Sequence, residues 1–262
     1  MSSWKQRVAA RFDAAAAAET YDAAARVQRL IAEDLAVRVS GLGLPDHPRV
    51  LEVGCGTGFL TAALVERLPE PHLTATDIAP AMVRATARLE LPDVSTHVMD
   101  GENPDAPTER FDLVCTSLAA QWFADLPGAV EKLMRCVKPG GYLALATLGA
   151  DTFHEWRAAA RETGIDPFDR GYPTAGRLAE MMGEGAGVDE LSPVVSSPSG
   201  HAFLRDLKSI GAHTRAEGQE PLTAGQLRRI LRRLEAVDGQ VYSTYHVLFG
   251  IRRKTPHGGE GA

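Results

Sequence analysis

A chain of 262 residues, 44% apolar and 24% charged, can build one packed α/β core with a cap and is too apolar for a disordered polymer. A formal net charge of -6 excludes the overall basic field that gathers nucleic acid or anionic lipid, so an acidic partner has to meet a local basic patch. Cys55, Cys115 and Cys136 are odd in number and widely spaced, which suits reduced thiols and neither a disulfide framework nor a metal site.

In chain order, Lys5, Arg7 and Arg11 stand among alanines with no sustained apolar run of signal-peptide type and no stretch that could cross a bilayer, so a cytoplasmic protein without membrane contact is expected. Val27, Leu30, Ile31, Leu35 and Val39 recur at helical spacing over 22–40 and stop at Gly41 and Gly43, which predicts a helix laid against a sheet. Short apolar runs then alternate with helical ones: strand 49–53, helix 58–68, strand 72–76, helix 80–90, strands 94–99 and 111–116, helix 126–137 and strand 141–147. That rhythm predicts a Rossmann-like, mostly parallel α/β sheet covered on both faces.

Beyond 151 the pattern changes to helices at 153–163, 174–183, 201–212 and 223–237, expected partly to flank the sheet and partly to form a lid. A short strand near 192–197 and a last strand at 241–252, with alternating Tyr242, Thr244, His246 and Leu248, would complete seven strands. The expected organisation is one domain over 1–254, with amino-terminal helices to 45, a core over 46–150, a lid and substrate region over 151–215, and a closing helix and strand over 216–254. A glycine-rich tail, 255–262, is expected to be disordered.

The run from Val50 to Gly58 reads as a buried strand, a glycine turn and a helix start, where backbone without side chains admits a ligand and free N–H groups face it. Gly54, Gly56 and Gly58, with Cys55 between them, are spaced G-x-G-x-G, without the G-x-x-G that seats a pyrophosphate, so a ligand without phosphates is expected. An adenosyl sulfonium fits. Glu52 would hold its cationic amino-acid portion, or only brace the loop. Asp77, beside Ile78 and about 20 residues past the turn, could accept both ribose hydroxyls. Asp100, before Gly101, could accept from an adenine amino group or be an ordinary turn aspartate. Ser117 and Leu118 reach the carboxyl edge of the sheet, where ligands bind in open α/β folds.

Over roughly 49–148, the E-V-G-C-G-T-G turn, the D-I-A-P-A-M stretch from Asp77, the Asp100 turn, F-D-L-V and the K-P-G-G turn resemble the class I S-adenosylmethionine-dependent methyltransferases. A narrower resemblance spans nearly the whole chain: Phe12 to Tyr21 to Gln28, then S-L-A-A-Q-W from Ser117, T-L from Thr147 followed by Thr152 and Phe153, R-D-L-K-S-I-G-A from Arg205, and T-Y-H-V-L-F-G from Thr244. Together these are similar to the malonyl-[acyl-carrier protein] O-methyltransferase family of biotin biosynthesis. Related enzymes often carry asparagine after the serine of the second stretch; here Leu118 stands there.

The resemblance implies S-adenosyl-L-methionine as cofactor, methyl transfer to the free carboxylate of a malonyl thioester, and an acyl carrier protein as partner. A carboxylate acceptor titrates near 4 and needs no general base, so catalysis would consist of positioning. Tyr21, Gln121 and Trp122 could contact the substrate, although Tyr21 and Trp122 equally suit packing. Arg205, Lys208 and His213 could receive the malonyl carboxylate or be solvated surface charges. Arg228, Arg229, Arg232 and Arg233 form a basic helix face that could dock an acidic carrier, or be a solvated face. Another small carboxylic acid or an oxygen or nitrogen nucleophile remains an alternative acceptor. A non-catalytic binding protein is disfavoured by Glu52, Asp77 and Asp100.

Overall fold

A computed structural model describes residues 3–17, 21–165, 171–209, 222–235 and 239–256. Ahead of the sheet run α1 (Ser3–Ala17), α2 (Tyr21–Ala24) and α3 (Arg26–Ser40). The core follows as β1 (Arg49–Val53), α4 (Phe59–Arg67), β2 (His72–Asp77), α5 (Pro80–Ala87), β3 (Val94–Val98), β4 (Phe111–Ser117), α6 (Leu126–Cys136) and β5 (Val137–Leu148). The remainder is α7 (His154–Glu162), α8 (Ala175–Met182), β6 (Ala186–Leu191), β7 (Val194–Ser197), α9 (Gly200–Ser209), α10 (Ala224–Leu234), β8 (Val241–Thr244) and β9 (Val247–Arg253).

Seven strands form one sheet in the order β3-β2-β1-β4-β5-β9-β6, with β9 antiparallel to both neighbours and the other adjacent pairs parallel. Successive side chains along each strand point to opposite faces, and partners across neighbouring strands share a face. On one face Val50, Leu73, Leu113 and Phe249 meet Ile31, Leu35 and Val39 of α3 and Leu60 and Leu64 of α4. On the other, Leu51, Val114, Leu143 and Leu248 meet Val130 and Leu133 of α6 and Leu178 and Met182 of α8. The chain leaves β1 towards β2 on one side and reaches β4 on the other, so the crevice at this switch opens above the carboxyl ends of β1 and β4.

Four expectations are revised. The segment at 192–197 does not join the large sheet: β7 pairs with β8 in a separate ribbon, and the seventh strand is β6. β6 is an edge strand with exposed Asp189 and Glu190, and edge charges hide a strand from an apolar-alternation reading. The single strand at 241–252 is broken at Tyr245 and His246, where the buried His246 imidazole meets Glu190 of the edge strand β6 at 2.6 Å. The helix over 22–40 is split at Ala25 (φ -87°, ψ 37°) into α2 and α3. Finally, α8 and β6, within the stretch expected to be lid, belong to the sheet and its covering layer. The last residues expected in the helices at 201–212 and 223–237, and the tail from 257, lie outside the described residues.

Candidate active site at the carboxyl edge of the sheet

A cleft opens at the switch point. Glu52, Gly54, Cys55, Gly56, Asp77, Ile78, Asp100, Gly101 and Ser117 all line it, so four strand ends converge there as the sequence predicts. Gly58 does not. It caps α4 at φ +94°, and a Cβ there would meet Leu89 Cδ1 at 2.5 Å, so this glycine serves packing of α4 against α5.

Asp77 closes the glycine turn. Its Oδ1 accepts the Ala79 N–H at 2.8 Å and its Oδ2 accepts the Gly56 N–H at 3.0 Å. Burial pushes its carboxyl up to about 6, against the pull of those N–H groups. Glu52 lies deeper, 1% exposed, with Oε2 accepting the Thr61 hydroxyl at 2.6 Å; the bond ties β1 to α4, the bracing role. Burial holds the Glu52 carboxyl at about 7, with the Thr61 hydrogen bond opposing and the charge of Asp77 adding to the rise.

Asp100 accepts the Glu102 N–H at Oδ1 (3.1 Å) and, at Oδ2, the Asn103 amide (3.2 Å) and the Lys5 ammonium (2.6 Å). Burial alone would raise its carboxyl, but these donors outweigh burial and hold it below the usual carboxylate range. Lys5 also lies 3.0 Å from Glu102 Oε2. It was not among the residues expected in the site, and neither were Val8, Phe12 and Gln28, which line the same cleft. Lys5, Val8 and Phe12 follow the helical spacing of three and four, a local signal that could have marked them as one face.

Tyr21 and Trp122 are in the cleft wall. Burial, with the charges of Asp77 and Asp22, holds the Tyr21 phenol well above its usual range, so it stays a protonated donor. Trp122 meets Phe12 edge to face at 5.5 Å and accepts through its carbonyl from the Trp4 indole N–H at 3.2 Å, so it packs as well as lines. Gln121 is not part of the wall. Its amide donates to the Leu118 carbonyl at 2.7 Å and steadies a turn in which Leu118 sits at φ +51°. Arg205 and Lys208 are exposed on α9, which packs beside α2, and neither lines the cleft. His213 lies outside the described residues.

On α10, Ile230 and Leu231 are buried while Arg228, Arg229, Arg232 and Arg233 are exposed, and Arg233 pairs with Glu162 of α7. Among the described residues no helix is long and apolar enough to cross a membrane.

A family model described as a methyltransferase domain matches residues 50–141. The malonyl-[acyl-carrier protein] O-methyltransferase of Magnetococcus marinus is 44% identical over 238 residues, covering 88% of this chain and 87% of that protein. The biotin biosynthesis bifunctional protein BioCD of Bordetella avium is 44% identical over 248 residues, covering 94% of this chain; the chain spans about half, 52%, of that protein's length. Among solved structures, the YcgJ protein of Bacillus subtilis superposes with a TM-score of 0.61 at 15% identity, covering 85% of this chain and 98% of that one, a likeness of fold alone.

Proposed function

The chain belongs to the malonyl-[acyl-carrier protein] O-methyltransferase family, and on that premise we propose that the cleft binds S-adenosylmethionine and directs its methyl group to the free carboxylate of a malonyl thioester. The observation that carries this reading is the convergence of Glu52, Asp77 and Asp100 on one cleft around a glycine turn with room for a ligand. The residues fit an adenosyl sulfonium. Gly56 lines the cleft at φ +56°, and a Cβ added there would meet no atom within 4 Å, so the backbone leaves space that a ligand can fill. Asp77 suits the ribose hydroxyls, Asp100 the adenine amino group, and Glu52 the ammonium of the amino-acid portion. When bound, the cofactor supplies an electrophilic methyl group.

The acceptor brings its own nucleophile. A malonyl carboxyl is ionised at neutral pH, since such groups titrate near 4, and the protein needs only to hold its oxygen in line and keep water out. Tyr21 fits the receptor role better than Arg205 or Lys208, because it lines the cleft and donates without charge. A tight ion pair would favour the anion over a transition state in which the charge is being lost.

Incubation with labelled S-adenosylmethionine and, separately, malonyl carrier protein, malonyl coenzyme A and free malonate tests the proposal. Transfer to a malonyl thioester as a base-labile methyl ester is expected. Cofactor binding without transfer to any of the three would move the activity to a different acceptor.

The exposed arginines of α10 supply the basic patch that an acidic carrier requires despite the negative total charge. Replacing Arg228, Arg229 and Arg232 by glutamine, and leaving the Arg233–Glu162 pair in place, is expected to lower kcat/KM for the carrier-bound substrate about tenfold and to spare malonyl coenzyme A. Equal losses on both substrates, or none on either, would remove the docking face.

A further inference from the structure

α1 roofs the cleft with one face and is tied along its length. The Trp4 indole N–H donates to the Trp122 carbonyl (3.2 Å), Lys5 bridges Asp100 and Glu102 (2.6 and 3.0 Å), and Asp13 accepts the Ala81 N–H (2.7 Å). The middle tie is chemically unlike the others. The side chains of Lys5 and Glu102 are 11% and 7% exposed, and Glu102 spends its other oxygen on the Asp125 N–H at 2.7 Å. Two carboxylates in one wall of the cleft therefore share a single ammonium, which comes from an element 95 residues away from Asp100 in the chain.

We infer that Lys5 is the specificity-determining residue of the nucleoside end of the cleft: by fixing Asp100 and Glu102 as acceptors, it selects a 6-amino purine over a 6-oxo purine. The inference rests on the adenosyl-cofactor reading. A 6-amino group donates to a fixed carboxylate, whereas a 6-oxo group sets an acceptor against an acceptor and leaves its own oxygen unpaired. Without the ammonium, the two carboxylates repel each other, the acceptor at Asp100 Oδ2 is no longer fixed, and water that enters beside it can donate to a 6-oxo base. Removing Lys5 thus lowers discrimination and not affinity alone. A residue that merely tied α1 down would weaken both ligands in the same proportion.

Calorimetric titration of S-adenosylhomocysteine and S-inosylhomocysteine into the parent protein, Lys5→Met and Lys5→Arg distinguishes the two roles. The parent is expected to prefer the adenosyl ligand by about tenfold or more, Lys5→Met to bind the two within about twofold of each other, and Lys5→Arg to recover the preference. A parent without preference, or Lys5→Met weakened equally towards both ligands with the ratio kept, overturns the inference. If Lys5→Met fails to fold, Asp100→Asn with Lys5 in place reads the same ratio, and a retained adenosyl preference there overturns it as well. A parent that binds neither ligand contradicts the cofactor reading itself.

Discussion

Asp77→Ala is expected to weaken S-adenosylhomocysteine binding by about 2–3 kcal/mol, roughly 30- to 150-fold, with the fold retained. Two contributions add. The carboxylate that would accept the ribose hydroxyls is lost, and so is the acceptor for the Gly56 and Ala79 N–H groups that shapes the turn under the ligand. S-adenosylhomocysteine is the informative probe because it lacks the sulfonium, so the loss reports hydrogen bonds rather than the attraction of a cation to an acidic cleft. The Gly56 N–H borders the cleft, where water can reach it, but the Ala79 N–H is buried and loses its partner, so the ligand-free melting temperature is expected to drop by several degrees. Calorimetry that finds the affinity unchanged would remove Asp77 from the ribose site. A collapse of the melting temperature would make it a structural staple first.

Asp77 was legible because its signal is local. A buried apolar run ends, a glycine turn precedes it at fixed spacing, and the alternation of strands with helices sends every such end to one edge of the sheet. The roof of the same cleft was not legible in this way. Lys5 meets Asp100 only through the docking of α1, and an alanine-rich helix advertises helicity without naming its partner. Distance along the chain also explains the broken last strand. Alternation runs on through Tyr242, Thr244, His246 and Leu248, but at Tyr245 and His246 the chain crosses from the β7–β8 ribbon into the large sheet, where the buried His246 meets Glu190 of β6 at 2.6 Å, 56 residues away. Arg205 and Lys208 carry the charge a carboxylate receptor needs and fall in the stretch expected to form the lid. Sequence spacing says which side chains share a helix face; it does not say which face the tertiary packing of α9 leaves to solvent. Gln121 illustrates the same limit at short range, since its amide is spent on the Leu118 carbonyl of its own turn.

The stability of the ligand-free protein is expected to fall as pH rises from about 5 to 8, by up to about 3 kcal/mol on account of Glu52. Its carboxyl titrates at about 7 in the folded protein, first because burial disfavours the charged form, against an ordinary value of 4.5. Between those two values the folded state keeps a proton that the unfolded chain has released. The slope of unfolding free energy with pH is therefore negative there, the reverse of a salt-bridged carboxylate. The contribution is fully present below the unfolded value and is lost as pH climbs through the folded one. Asp77, at about 6 against 3.8, slopes the same way in a lower, overlapping window. Glu52→Gln preserves shape and a partner for Thr61 but cannot ionise, so the difference between the urea unfolding profiles of parent and variant isolates Glu52 from Asp77 and from every histidine. Parallel profiles would mean that Glu52 ionises freely and that the cleft is wetter than its burial implies. A cationic ligand reverses the penalty, because a sulfonium and an ammonium beside Glu52 and Asp77 favour their charged forms. Affinity for S-adenosylmethionine is therefore expected to rise over pH 6 to 8 more steeply than affinity for S-adenosylhomocysteine, and a common slope for both would place the sulfonium away from these carboxylates.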